Sequence, residues 1–195
     1  MKTTFFSCLA LCVATEISAQ NILPADVQIK TAVMAAPSDK QAGAKVYGYA
    51  PDGTFKILCE GSNDFVCLAD DPKKEDISVS CYLAELDAFM ERGRVLAKEG
   101  KNQKEIFDIR EKEVKEGKLK MPKQSSTLYV LSGSKDNYDP ATGALKNGYL
   151  RYVVYIPFAT AESTGLPLKP DVPGMPWIMD PGTHRAHIMI NPPKP

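Results

Sequence analysis

Residues 127–131, TLYVL, and 149–158, YLRYVVYIPF, are the strongest β-forming runs of the chain, rich in Val, Leu, Tyr, Ile and Phe. Those residue types fit a pleated, half-buried surface. The stretch between them, SGSKDNYDPATGALKNG, is polar and carries Asp139-Pro140 and Asn147-Gly148 as turn signals. A sheet therefore dominates the second half of the chain. Just before it the character changes. From 85 to 123 the chain is dense in charge, and Leu83, Leu86, Met90 and Ala97 recur near one helical face with Phe89 and Leu96 beside it. The spacing predicts a helix from about Leu83 to Glu99, stopped by Gly100. Asn102 and Glu105 have capping-box spacing for a second helix that ends near Gly117. Its apolar stripe is thin, Ile106 and Ile109, and its acidic and basic residues are interleaved. That pattern belongs to a solvated outer helix, not to a nucleic-acid surface.

Further upstream, Val27, Ile29, Thr31 and Val33 alternate with Gln28, Lys30 and Ala32, a period of two that predicts a strand. AKVYGY (44–49) and TFKIL (54–58) flank the turn Pro51-Asp52-Gly53, and DFVCLA (64–69) follows Gly61-Ser62-Asn63. The first third reads as an antiparallel meander. Downstream, residues 157–195 are proline-rich and end in the apolar run HIMI (187–190), which reads as extended chain and a last strand. The whole is one α+β domain over residues 20–195. Its antiparallel sheet is covered on one face by one or two helices, and its Pro-rich C-terminal segment is packed on the sheet.

The 195 residues are 44% hydrophobic and 25% charged, with 24 basic and 24 acidic side chains and no net charge. This balance provides no field for steering to nucleic acid or an anionic membrane. The chain opens with Lys2, an apolar run from Thr3 to Ala14 and the small residue Ala19, the pattern of a signal peptide over 1–19 cleaved after Ala19 or Gln20. The apolar run is shorter than the roughly 20 residues of a membrane span. A secreted or periplasmic protein follows, with no membrane insertion after cleavage. Removal of Cys8 and Cys12 leaves Cys59, Cys67 and Cys81, an odd number that predicts one disulfide and one thiol. Cys67–Cys81 is favoured, because closing the polar loop LADDPKKEDISVS contributes about 3 kcal/mol in the chain-entropy model. Cys59–Cys67 across a hairpin is the competing pair.

The phrases FVCLADDP (65–72), DAFMERGR (87–94), IPFATAESTGLP (156–167) and PGMPWIMDPGTHRAHIMI (173–190) resemble an uncharacterised family of secreted bacterial proteins. The resemblance covers most of the exported chain. It implies export and a shared fold, and it assigns no catalytic residue.

Chemistry must then be argued from side chains. No phosphate loop, dinucleotide fingerprint, EF-hand or haem-attachment motif occurs, so no cofactor is expected. His184 and His187 are the only histidines. Three positions apart on a strand they point to opposite faces, so an exposed loop His184 and a hydrogen-bonded strand-end His187 are expected, not a metal site. Ser132 to Lys135 has S-x-x-K spacing but follows a strand into a glycine-containing loop, out of place for an acyltransferase nucleophile. Polar loops held by strands are where function concentrates. The expected ligand-binding residues are therefore Thr160, Glu162, Ser163, Trp177, Asp180 and His187. The leading expectation is a non-catalytic binding or structural module for an unknown small molecule or protein. The alternative is a small hydrolase in which loops 159–165 and 180–187 line one concave surface and bring Glu162, Ser163, Asp180 and His187 together.

Overall fold

The computed structural model describes residues 22–194; the expected signal peptide over 1–19 and its expected cleavage site lie outside the described residues. The helices are α1 (Ala25–Val33), α2 (Ser38–Gln41), α3 (Asp87–Lys98), α4 (Gln103–Lys115) and α5 (Ala161–Thr164). The strands are β1 (Lys45–Tyr49), β2 (Phe55–Cys59), β3 (Phe65–Leu68), β4 (Ile77–Leu83), β5 (Ser126–Gly133), β6 (Tyr138–Asp139), β7 (Ala144–Leu145), β8 (Tyr149–Tyr155), β9 (Trp177–Met179) and β10 (His187–Ile190). Eight of them form one sheet in the order β2-β1-β3-β4-β5-β8-β10-β9, and β6 pairs with β7 in a small separate hairpin. The class is α+β, with a mostly antiparallel sheet.

The register makes the two faces explicit. Val46, Cys67, Cys81, Tyr129 and Tyr152 are successive partners across β1, β3, β4, β5 and β8. One position along, Val66, Tyr82, Leu128, Val153 and Met189 are partners across β3, β4, β5, β8 and β10. Successive side chains on a strand point to opposite faces, so each row lines its own core. The first core takes Ala32, Ala35 and Ala36 from α1 and the chain after it. The second takes Leu86 and Phe89 from the start of α3, with Val114 of α4 packed against it. Helices thus cover both faces, not one.

Three expectations are corrected. The segment VQIKTAV is helix α1, not a strand. Pro24 sits at its N-cap, Asp26 in its first turn and Lys30 in its last, and Val27, Gln28, Thr31 and Ala32 make one buried stripe. The signs complement the helix dipole, and Val27 and Thr31 satisfy an i,i+4 repeat as well as they satisfy alternation. The first third is not a simple meander, because β1 pairs parallel with β3 while β2 folds back to the outer edge. The loop expected between Cys67 and Cys81 ends earlier: its last residues, ISVS, belong to β4, with Ile77, Val79 and Cys81 buried on one face.

Cys67 and Cys81 form a disulfide between directly opposed residues of β3 and β4, their Cα atoms 4.1 Å apart. The pairing is the one favoured from sequence, but its cause is cross-strand register rather than loop length. Among the described residues Cys59 is the free cysteine. It partners Val46, which in turn partners Cys67. Two strand spacings, about 9–10 Å, separate Cys59 from Cys67, beyond the roughly 7 Å reach of a disulfide. Among the described residues no helix is long and apolar enough to cross a membrane.

The predicted helices of the charged segment appear with small boundary shifts. A single 3-10 turn, Ala84–Leu86, precedes α3, and α4 carries the full capping box between Asn102 and Glu105.

Candidate functional site

Among the described residues a partly enclosed hollow lies at the end of the sheet where β1, β3 and β5 finish and β4 begins. Its volume is about 270 Å³, far beyond the roughly 10–15 Å³ a single water needs and just below the usual range for small-molecule sites. α1 forms one wall through Gln28 and Thr31, β1 contributes Tyr49, and the loop after β3 contributes Asp70 and Pro72. Lys135, Tyr138 and Pro140 close it from the β5–β6 side, while Leu23 and Ile77 supply apolar surface.

These walls are fixed by a short set of hydrogen bonds. The Gln28 amide donates to the Tyr49 carbonyl at 2.8 Å and to the Leu23 carbonyl at 2.7 Å, and its oxygen accepts the Tyr49 N–H at 2.8 Å. Gly48 leaves room for this clamp: a Cβ there would stand 2.6 Å from Gln28 Oε1 and 2.5 Å from Leu58 Cδ1. Thr31 Oγ1 lies 3.0 Å from the carbonyls of Val27 and Gly143 and 2.9 Å from the Tyr138 hydroxyl. The β6–β7 hairpin is thereby tied to α1. Gly143, at φ +77°, permits the approach, since a Cβ would meet Thr31 Oγ1 at 2.8 Å.

Asp70 is the acidic group of the hollow. Its Oδ1 accepts the Ser78 N–H at 2.7 Å. Burial pushes its carboxyl above the usual range, against the opposing pull of that N–H and of Lys135. Lys135 directs its ammonium to the Lys74 carbonyl. Burial, with Asp71 and Asp70 nearby, pushes the Tyr49 phenol up to about 12, so it stays a proton donor at neutral pH.

The loops singled out from sequence lie at the other end of the strands. They do meet: the Gly182 N–H donates to the Ala159 carbonyl at 2.7 Å and the Phe158 N–H to the Thr183 carbonyl at 2.8 Å. Their polar side chains, however, serve the loops themselves. Ser163 Oγ accepts the Thr160 N–H at 2.9 Å and Thr160 Oγ1 accepts the Ser163 N–H at 3.1 Å, a reciprocal cap on α5. Asp180 Oδ2 accepts from Arg185 Nε at 2.8 Å. His187 is buried and donates from Nδ1 to the Arg185 carbonyl at 2.7 Å. Glu162 is exposed. No hydrogen bond joins Ser163, His187 and Asp180 to one another. Trp177 stands apart, half-buried on an open groove with Tyr149, Val172 and Pro193.

His184 departs from its expected exposed position. It is fully buried, edge-on to Phe89 and Phe107 at ring distances of 5.6 and 4.9 Å. Its Nδ1 donates to Glu111 Oε2 at 3.0 Å, and Lys115 binds the other oxygen of the same carboxylate at 2.6 Å. Burial lowers the His184 pKa below the ordinary value of 6.5. Burial also raises Glu111, but the bonds from Lys115 and His184 outweigh it and hold that carboxyl low. The pair is therefore a neutral imidazole on a carboxylate. Arg110 completes the cluster, 4.0 Å above the Phe89 ring, with its Nη1 donating to the Phe89 carbonyl at 3.2 Å. This cluster docks α4 on α3 and the chain before β10, a packing role.

Sequence reasoning passed over Gln28, Tyr49, Asp70 and Tyr138 because they come from separate segments with no shared spacing. Only the buried polar stripe of α1 could have pointed to them. Among the described residues no group of three or more His, Cys, Asp and Glu side chains is placed to hold a metal ion. No family model, no curated protein and no solved structure matches the chain.

Proposed function

We propose that the chain is an exported, non-catalytic binding protein that takes a small molecule in the hollow beside α1. The observation that supports this most is the hollow itself: about 270 Å³, walled mainly by apolar side chains, with a few fixed polar groups among them. Concave, mostly apolar, pre-formed sites with a few convergent polar groups are where small ligands bind. The signal-peptide pattern at 1–19 supports export, and the Cys67–Cys81 disulfide suits an oxidising compartment. In this reading the Pro-rich chain after β8 lies against the sheet and closes its edge, away from the ligand. The hydrolase alternative has the contact between its two loops in its favour. It lacks a nucleophile, because the Ser163 hydroxyl is held in a helix cap.

The test has two parts. Intact mass of the exported protein should place the N-terminus at Gln20 or Asn21; a retained Met1 removes export from the proposal. A screen of small polar and apolar molecules by thermal shift should then yield a stabilising ligand whose effect disappears in Pro72→Trp or Ile77→Trp, which fill the hollow. Stabilisation that survives both fillings places the binding site elsewhere and overturns the assignment.

A further inference from the structure

We infer that the hollow beside α1 selects a small organic cation, an ammonium on a short apolar body, with the charge facing Asp70. This rests on the reading of the hollow as a ligand site and names its chemistry. Asp70 takes one backbone N–H on Oδ1. Among the described residues no lysine, arginine or histidine nitrogen stands within 4 Å of its carboxylate, whereas twelve other ion pairs are closed within that distance. Asp70 is half-buried, and Lys135 and Lys74 act on it only from beyond ion-pair distance, so a cation that reaches the carboxylate directly gains a contact that no side chain makes and displaces water from a partly shielded charge. Lys135, the one cationic side chain lining the hollow, is exposed and turned to the Lys74 carbonyl.

The rest of the wall fits the same ligand. Tyr49 and Tyr138 line the same hollow as Asp70, and ring faces attract an ammonium that has left water. Leu23, Ile77 and Pro140 offer apolar contact for a hydrocarbon body. A bare metal ion does not fit, because Asp70 alone offers too few hard oxygen ligands. A carboxylate or phosphate ligand would meet the Asp70 charge, with Asp71 next to it in the chain.

The experiment titrates the purified protein with three molecules of one shape, 2-phenylethylamine, 2-phenylethanol and 3-phenylpropionate, by calorimetry at pH 7.5 and low salt. The amine should bind at least tenfold more tightly than the alcohol, and the acid more weakly than either. Asp70→Asn keeps an acceptor for the Ser78 N–H and should remove the tenfold preference for the amine over the alcohol. Lys135→Ala should act in the opposite direction and tighten the amine several-fold, because it removes a like charge. The two variants have opposite signs, so a general loss of folding cannot imitate the result. If the alcohol or the acid binds as well as the amine and Ile77→Trp abolishes that binding, the cation inference falls and the ligand site stands. Amine binding that is indifferent to both Asp70→Asn and Ile77→Trp overturns both. Failure of the amine to bind at all overturns the cation inference, and the wider screen then judges the site.

Discussion

Gln28 grips Tyr49 at both ends of its backbone: the carboxamide nitrogen donates to the Tyr49 carbonyl and the carboxamide oxygen accepts the Tyr49 N–H, each at 2.8 Å. The buried side chain of a helix thereby replaces a strand neighbour at the end of β1. It also sets Tyr49 at the rim of the hollow. Helix, sheet and candidate site are joined through this one residue.

Gln28→Ala should therefore destabilise the protein far more than its size implies. Each buried polar group left without a partner costs about 1–3 kcal/mol, and the substitution strands the Tyr49 N–H and carbonyl together. Denaturant unfolding should show a loss of about 2–3 kcal/mol, while Lys30→Ala on the exposed side of the same helix stays within about 0.5 kcal/mol. Equal losses from the two would show that the clamp carries no weight.

The disulfide joins residues that the sheet already places opposite one another. Its stabilisation should be that of closing a loop with a sequence separation of 14, about 3 kcal/mol in the chain-entropy picture. Cys67→Ala with Cys81→Ala should lower stability by about that amount without loss of the fold, since Val79, Cys81 and Phe65 sit in a core that α1 also fills. Non-reducing peptide mapping should link Cys67 to Cys81 and leave Cys59 alkylated. A peptide joining Cys59 to either partner would contradict the register, because Val46 stands between the strands of Cys59 and Cys67.

Why α1 was misread in the sequence and α4 was not is instructive. Asn102 and Glu105 signal a helix start by a specific pair of hydrogen bonds, and both are made, at 3.0 and 2.9 Å. In VQIKTAV the β-branched residues alternate, and local propensity favours a strand. What decides for helix is tertiary: Ala32, Ala35 and Ala36 fit closely over Cys67 and Val79, and Gln28 finds its partners only on β1. β4 shows the reverse case. ISVSCYL alternates cleanly, yet charge in the preceding residues 70–76 drew the loop boundary too far along. The two C-terminal loops were legible as neighbours, because flanking strands β8 and β10 carry plain patterns. The hollow was not legible, since its lining comes from four stretches far apart in the chain, 22–31, Tyr49, 70–77 and 135–140.

Both histidines should make the protein lose stability on mild acidification. Burial lowers His184 and His187 below the ordinary 6.5, and for His184 the guanidiniums of Arg110 and Arg185 add to it while Glu111 opposes. A folded-state pKa below the unfolded one means that the unfolded chain takes up protons first. The contribution is complete above about pH 6.5 and is lost as pH falls through the lowered values. Glu111, held below its ordinary 4.5, adds a further loss only at lower pH. Unfolding free energies at pH 8, 7, 6 and 5 should decline across the last two points, and His184→Gln should decline less steeply from a lower start. Stability that rises toward pH 5 would mean that charged His184 on Glu111 is the favoured pair.

Asp180 offers the sharpest separation of a structural from a catalytic role among the loop residues. It has φ +51°, a left-handed conformation uncommon for a residue with a Cβ, and its carboxylate accepts from Arg185 Nε at 2.8 Å. Two costs therefore fall on different substitutions. Asp180→Asn keeps the tolerance for positive φ and a neutral acceptor, so it should cost under about 1 kcal/mol, the ordinary value of a partly exposed charged bond. Asp180→Gly loses the bond and keeps the backbone. Asp180→Ala loses the bond and adds the left-handed penalty of about 1–2 kcal/mol. The order of stability should be Asp, then Asn, then Gly, then Ala, with Gly above Ala although glycine is normally the worse residue outside such positions. Ala above Gly would show that the conformation is not imposed by the fold. A paired measurement on Ser163→Ala follows the third residue of α5, whose hydroxyl accepts the N-cap Thr160 N–H; loss of that bond should cost about 0.5–1.5 kcal/mol. If that variant and Asp180→Asn instead abolished a hydrolytic activity of the purified protein while leaving its unfolding unchanged, both side chains would be chemical rather than structural, and the binding-protein reading would give way.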